Sequence, residues 1–254
     1  MISLPQLSAA IRSGSLSPVE HVRDACGRLA ADTHNAVITL DAERALAQAE
    51  GLAAELARGE WRGPLHGVAV GVKDLYDVAG LPTRAGSNVL ADAPPATADS
   101  ALVARLRQAG AVVVAKLHTH EFAYGPTGDV AATGPACNPH DPTRITGGSS
   151  SGSAAAVAAG HVALALGTDT GASVRTPAAL CGVVGLKPAY GALPVDGVFP
   201  LSETCDHVGF LTADAEGAAL AWDALTGPGE PAPATRVGVL VDELSNVTLL
   251  LRVR

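Results

Sequence analysis

Gly147-Gly148-Ser149-Ser150-Ser151-Gly152-Ser153, then a run of small residues, then Gly167-Thr168-Asp169-Thr170-Gly171-Ala172-Ser173-Val174-Arg175-Thr176-Pro177 form the stretch that decides the fold. Two serine-bearing, glycine-rich turns flank one compact helical segment. Glycine at this density lets the backbone take positive φ and come close to a ligand. Successive free N–H groups in such turns can point into one concavity and hold a negative charge. That is the geometry of an oxyanion hole.

A serine hydroxyl is a poor nucleophile until a base removes its proton, and no histidine lies near either turn with an obvious partner role. Lys73, at the end of the apolar run from His66 to Val72, can be that base if burial makes it neutral. Lys73, the Gly-Gly-Ser-Ser run with Ser149, and Asp169-Thr-Gly-Ala-Ser-Val-Arg175 together resemble the amidase signature enzymes, serine hydrolases with a Ser-Ser-Lys triad. Ser149 and Ser173 stand 24 residues apart (173 − 149), as the bridging serine and the nucleophile of that family do. The resemblance covers about residues 4–240.

The resemblance implies Ser173 as nucleophile, Ser149 as proton relay and Lys73 as base. The backbone amides of Thr170, Gly171, Ala172 and Ser173 form the oxyanion hole, and a cis peptide is expected at Gly148-Ser149. Asp169 and Arg175 order the nucleophile turn. Ala172 departs from the pattern, since most members carry glycine there; were φ positive at this position, alanine would cost about 1–2 kcal/mol. The reaction implied is R-CO-NH₂ + H₂O → R-COOH + NH₃ through an acyl-enzyme, with no metal and no cofactor. Two alternatives stay open: the A subunit of a glutamine-dependent tRNA amidotransferase, working with partner subunits, and a truncated, inactive amidase remnant.

Composition bounds these readings. At 254 residues and 48% hydrophobic content the chain can bury a sizeable core. With 17 basic against 25 acidic residues its net charge is −8, which disfavours direct nucleic-acid binding. Cys26, Cys137, Cys181 and Cys205 are scattered without a Cys-x-x-Cys pair, which fits neither a disulfide framework nor a zinc site. A cytoplasmic location is expected, with no secretion signal and no membrane span. The expected partner is a small-molecule amide, and a homodimer is a further expectation.

Along the chain, residues 1–60 read as a helical N-terminal region: Leu4, Leu7 and Ile11 share a face, Ser17-Pro18 looks like a helix start, and 42–57 is rich in helix formers. Residues 61–241 read as the catalytic α/β core. Strands are expected near 66–72, 111–115, 161–166, 183–186 and 237–241, and helices over 100–109, from within 150–153 through 159, over 177–180 and over 212–225. The stretch from Cys137 to Pro142, punctuated by prolines, reads as a loop. Residues 242–254 form an atypical tail. The fold class expected is α/β, the amidase signature fold: a mixed central sheet covered by helices on both faces, incomplete at the C-terminus.

Three rival motifs fit less well. Gly67 and Gly71 do not make the glycine fingerprint of a dinucleotide-binding unit. His118-Thr119-His120-Glu121 has no third ligand motif beside it and reads as a polar segment near the cleft. Gly148-Ser149-Ser150-Ser151-Gly152 matches a nucleophile elbow centred on Ser150, but that elbow should follow a buried strand, and its triad would need Asp169 or Asp206 with His207. Substrate choice is expected to lie in loops such as 124–133 and in a C-terminal portion.

Overall fold

Alternation along the central strands sorts the chain onto two faces of one sheet. The computed structural model describes residues 3–227. In chain order the elements are α1 (Leu4–Arg12), α2 (Pro18–Ala30), β1 (Val37–Leu40), α3 (Ala42–Ala57), β2 (Ala69–Lys73), α4 (Ala101–Gln108), β3 (Val112–Leu117), β4 (Cys137–Asn138), β5 (Asp141–Ile145), α5 (Ser151–Ala158), β6 (Leu164–Asp169), α6 (Arg175–Cys181), β7 (Val184–Leu186), β8 (His207–Thr212) and α7 (Ala215–Thr226). Six strands form one sheet in the order β1-β3-β2-β6-β8-β7, and β4 and β5 pair separately. β3, β2 and β6 run parallel, while β1, β8 and β7 join antiparallel to their neighbours. The sheet is therefore mixed, as the α/β reading expects.

Val70, Val72, Leu164, Leu166, Val208 and Phe210 face one side, where α1, α4 and α7 cover them with Leu4, Ile11, Leu102, Leu106 and Ala221. Ala69, Ala165 and Leu211 face the other, under α2, α3, α5 and α6. The strand period of two explains this division, and both faces are dry. The second face is built from small residues so that α5 can lie close. A side chain at Gly167 would come within 2.7 Å of Ser150 Oγ, and one at Gly152 within 2.4 Å of the His118 nitrogen. Those two glycines set the distance between α5 and the sheet, and so fix where the serine run stands.

Local signals place most of the helices. Ser17 caps α2 in a capping box with Glu20, with Pro18 in the first turn. Asp214 caps α7 by accepting from the Gly217 amide at 2.7 Å. No helix among the described residues is long and apolar enough to cross a membrane.

Several elements differ from the sequence reading. The N-terminal region contains a strand, β1, whose four residues are only half-buried at the sheet edge and so lack a strong apolar run. The strand expected at 161–166 begins at Leu164 and runs on to Asp169, because parallel pairing with β2 and antiparallel pairing with β8 extend it through polar residues. β8 is an element the sequence reading lacks; Gly209 interrupts its apolar run, and a side chain there would meet the Leu186 carbonyl oxygen at 2.4 Å. The expected loop at 137–142 includes β4 and the start of β5, a largely exposed pair. The strand expected at 237–241 and the tail at 242–254 lie outside the described residues.

Two glycine substitutions test this account of the packing. Gly152→Ala should cost about 1–3 kcal/mol, because its Cβ would press on backbone atoms of His118 and Ala36 that cannot rotate away. Gly51→Ala, in α3 with nothing within 4 Å of the new methyl, should gain about 0.8–1 kcal/mol. Denaturant unfolding of the two variants should give shifts of opposite sign.

Candidate active site

Lys73 closes β2 at the edge where the parallel strands end, and its side chain is fully buried. Its Nζ lies 2.7 Å from Ser149 Oγ, 2.8 Å from Thr168 Oγ1 and 3.0 Å from Ser150 Oγ. Three hydroxyls and no carboxylate surround the amine. Burial holds Lys73 well below the ordinary lysine range, and the charges of Asp169 and Asp206 act the other way without cancelling it. Asp74 is not its partner. That carboxylate pairs at 2.8 Å with Lys116, also fully buried, whose Nζ donates to the Pro82 carbonyl and Thr83 Oγ1.

The Gly148–Ser149 peptide is cis. Around it the loop is tied on all sides: the Gly148 amide donates to the Pro126 carbonyl at 2.7 Å, and the Ser149 carbonyl accepts from the His120 amide at 3.1 Å. α5 starts at Ser151, so its N-terminal end stands beside Ser149. The Ser150 amide donates to the Ser173 carbonyl at 3.1 Å, which joins the two serine turns directly.

The second turn follows β6. Asp169, fully buried, accepts from Arg175 Nε at 2.9 Å and Nη2 at 2.8 Å, and from the Val174 amide at 3.1 Å; Arg175 also donates to the Gly171 carbonyl. Burial pushes the Asp169 carboxyl up, but the Arg175 guanidinium and the Val174 amide outweigh it and the net displacement is downward. A bidentate charged pair thus clamps both ends of 170–174. Ala172 does not have positive φ, so the conformational cost considered for an alanine there does not arise.

Ser173 is half-buried and lines a cleft of about 420 Å³ with Gly171, Ala172, Thr176, Tyr124 and Leu201. The amides of Gly171, Ala172 and Ser173 donate to no protein acceptor in the described residues and are free for a ligand. Ser173 therefore stands at the cleft, while Ser149 and Lys73 are both fully buried.

The rival motifs fall to other roles. Ser150 is fully buried, donates to the Thr168 carbonyl and accepts from the Thr168 amide, and it follows an exposed strand rather than a buried one. Asp206 holds Thr170 and two loop amides, and His207 Nδ1 bonds the Cys205 carbonyl, so neither serves Ser150. His118 Nε2 donates to the Gly134 carbonyl, which leaves Nδ1 to accept from Ser151 Oγ at 2.7 Å; His120 Nδ1 accepts from the Gly128 amide. These histidines brace the serine loop. Sequence reasoning misses Thr168 and Ser150 as direct partners of Lys73, because the pairing of β2 with β6 brings the first to it and the start of α5 the second.

Comparison with known proteins agrees over most of the chain. Residues 20–246 match the family model for amidases. The chain is 47% identical over 222 residues to AtzE of Pseudomonas sp. (strain ADP), a 1-carboxybiuret hydrolase subunit, covering 86% of this chain and 49% of that protein. It is 43% identical over 239 residues to the A subunit of the glutamyl-tRNA(Gln) amidotransferase of Anaeromyxobacter dehalogenans (strain 2CP-C), covering 92% and 48%. Among solved structures, the native peptide amidase of Stenotrophomonas maltophilia superposes with a TM-score of 0.82 at 37% identity, over 94% of this chain and 51% of that one. The chain spans about half the length of the curated relatives it matches.

Removing the clamp tests the electrostatics of the turn. Arg175→Met should destabilise by about 1–3 kcal/mol, the lower part of the range for a charged pair because the guanidinium is half-exposed. Asp169 has a depressed folded value, so its contribution is full above its unfolded value of about 3.9 and is lost as pH falls through the folded one. The stability gap between wild type and Arg175→Met should therefore be widest at neutral pH and close below about pH 4. Thermal unfolding across pH 3–7 reads this directly.

Proposed function

This chain belongs to the amidase family, and we propose that it carries the Ser-Ser-Lys machinery of an amide hydrolase, with Ser173 as nucleophile, Ser149 as relay and Lys73 as base. The single observation that carries the reading is the fully buried Lys73 amine 2.7 Å from Ser149 Oγ, in a serine turn that the Ser150 amide joins to Ser173.

A neutral lysine offers two N–H donors and one lone pair, which fixes how three hydroxyls can share it. Ser150 spends its hydrogen on the Thr168 carbonyl and so accepts from Nζ. With Thr168 Oγ1 taking the second N–H, the lone pair is left for the Ser149 hydroxyl. Ser149 oxygen is then free to receive the Ser173 proton. The step runs as Ser173 Oγ–H to Ser149 Oγ and Ser149 Oγ–H to Lys73 Nζ, while Ser173 Oγ attacks the amide carbon.

The free amides of the 170–173 turn receive the oxygen of the tetrahedral intermediate; one such donor is typically worth about 10²–10³ in rate. Collapse returns the proton along the same relay to the leaving nitrogen, which departs as ammonia. Water then attacks the acyl carbon as the relay takes its proton, the bond to Ser173 Oγ breaks, and the relay returns the proton to Ser173 Oγ as the carboxylic acid leaves. Substrate is a small-molecule amide, no direct nucleic-acid contact is invoked, and the cytoplasm is the compartment assigned, in keeping with four unbridged cysteines.

The A subunit of an amidotransferase is the second reading, favoured by the 43% identity to one such protein, and it would add partner subunits and glutamine as the amide. Ammonia release from glutamine against simple amides separates the two. A fluorophosphonate probe should label Ser173, and Ser173→Ala should abolish the label. The labelling rate should fall towards acid with an inflection well below the ordinary lysine value of about 10.4, and Lys73→Ala should remove most of it. Label on Ser150, or full-rate labelling of Lys73→Ala, would falsify the assignment.

A further inference from the structure

Asp206, in the loop before β8, ends a set of contacts that the triad does not explain. Its Oδ1 accepts from Thr170 Oγ1 at 2.5 Å, and its Oδ2 accepts from the amides of Leu201 at 2.8 Å and Ser202 at 2.9 Å. Both oxygens receive donors only, the pattern of an ionised carboxylate. Thr170 begins the oxyanion turn and Leu201 stands on the same cleft, so one carboxylate joins two walls of the candidate site. Asp206 also lines, with Thr168, Thr170, Glu203 and His207, a small, partly open cavity of about 90 Å³ that shares Thr170 and Leu201 with that cleft. Thr168 is itself a partner of Lys73.

Most other charges near Lys73 are paired or neutral among the described residues, Glu203 on the same cavity as Asp206 being a second acid without an ion pair. Asp169 is bound by Arg175 and Asp74 by Lys116. His118 and His120 both lie below the usual histidine range because burial disfavours their charged form. Asp206 makes no ion pair with any described cation. Its field therefore reaches the amine without a counterion to offset it, and the sign is to favour the protonated form.

We propose that Asp206 is a positioning residue of this site: it pins Thr170 to the 201–202 wall, so fixing the oxyanion turn, and its unpaired charge moderates how readily Lys73 gives up its proton. Two opposing demands explain why such a residue is useful. Burial alone would leave Lys73 too weak a base to draw a proton from serine, whereas a carboxylate in direct contact would hold it protonated at neutral pH. A carboxylate that bonds Thr170 and shares a cavity wall with Thr168, the partner of Lys73, without touching the amine lies between these limits.

The inference rests on the amidase reading for its rate measurements and is independent of it for the titration of Lys73. In Asp206→Asn the amide oxygen can keep the Leu201 and Ser202 amides and the NH₂ can donate to Thr170 Oγ1, so charge is removed and the ties are kept; Asp206→Ala removes both. The full chain is used, with fluorophosphonate labelling of Ser173 measured against pH and the Lys73 side chain followed by NMR, assigned with Lys73→Arg. Asp206→Asn should move both inflections down by about half to one pH unit, and it should cost less of the labelling plateau than Asp206→Ala. Asp206→Ala should lower the plateau by about tenfold or more at every pH. An unmoved Lys73 inflection in Asp206→Asn overturns the charge role, and a wild-type plateau in Asp206→Ala overturns the pinning role. A shifted NMR inflection without any label on Ser173 would instead sink the hydrolase reading and leave the action of Asp206 on Lys73 standing.

Discussion

A fully buried primary amine surrounded by hydroxyls is the constraint on which the rest of this structure depends. Ionised, Lys73 would carry a desolvation cost of several kcal/mol with no carboxylate in contact to offset it. The neutral form avoids that cost but still needs its two N–H groups and lone pair satisfied. Ser149, Ser150 and Thr168 satisfy them, and each comes from a different place: the cis-linked loop, the helix cap and the adjacent strand. Strand pairing of β2 with β6 and close approach of α5 are therefore not incidental to the chemistry. Small residues on one face of the sheet are what permit both.

The same logic explains the unequal treatment of the two aspartates that follow strands. Asp74 is spent on Lys116 and the Arg84 amide, and Lys116 in turn donates to the Pro82 carbonyl, which anchors the end of β2 to the 82–84 segment. Asp169 is spent on Arg175 and the Val174 amide, which shape the turn after β6. Neither is placed as an acid or base, since each already has a committed cation. Ties on both strands hold the turn whose free amides, those of 171–173, line the cleft.

Much of this was legible in the sequence because the decisive residues are local. The glycine-serine turns, their 24-residue spacing and Lys73 at the end of an apolar run name the triad candidates, and the apolar runs locate β2, β3 and β7. Less legible was anything set by register between distant strands. Thr168 meets Lys73 only through the pairing of β2 with β6, and β8 hides behind Gly209, whose missing side chain is needed by the neighbouring strand. β1 is a short edge strand of half-buried residues, with no apolar period to mark it. At Ala172 the sequence pattern raised a conformational cost that the backbone does not incur, since φ there is not positive.

The cleft itself divides the chemistry from the choice of substrate. Its described lining includes Ala123, Tyr124, Gly125, Pro126, Thr170 and Leu201, without an ionisable acid or base apart from the Tyr124 phenol. Such a wall can hold an acyl group by contact but has no cation with which to select a carboxylate and no anion with which to select an ammonium group. Discrimination by charge therefore needs groups beyond this wall, and the chain spans about half the length of its relatives. Under the proposed reading, what these residues supply is common to any amide: Lys73 as base, Ser149 as relay, Ser173 as nucleophile and the 171–173 amides as oxyanion donors. Relatives as differently named as a 1-carboxybiuret hydrolase subunit and a glutamyl-tRNA(Gln) amidotransferase subunit share this half at 43–47% identity, which accords with the proposal that this part addresses the amide bond and not what surrounds it.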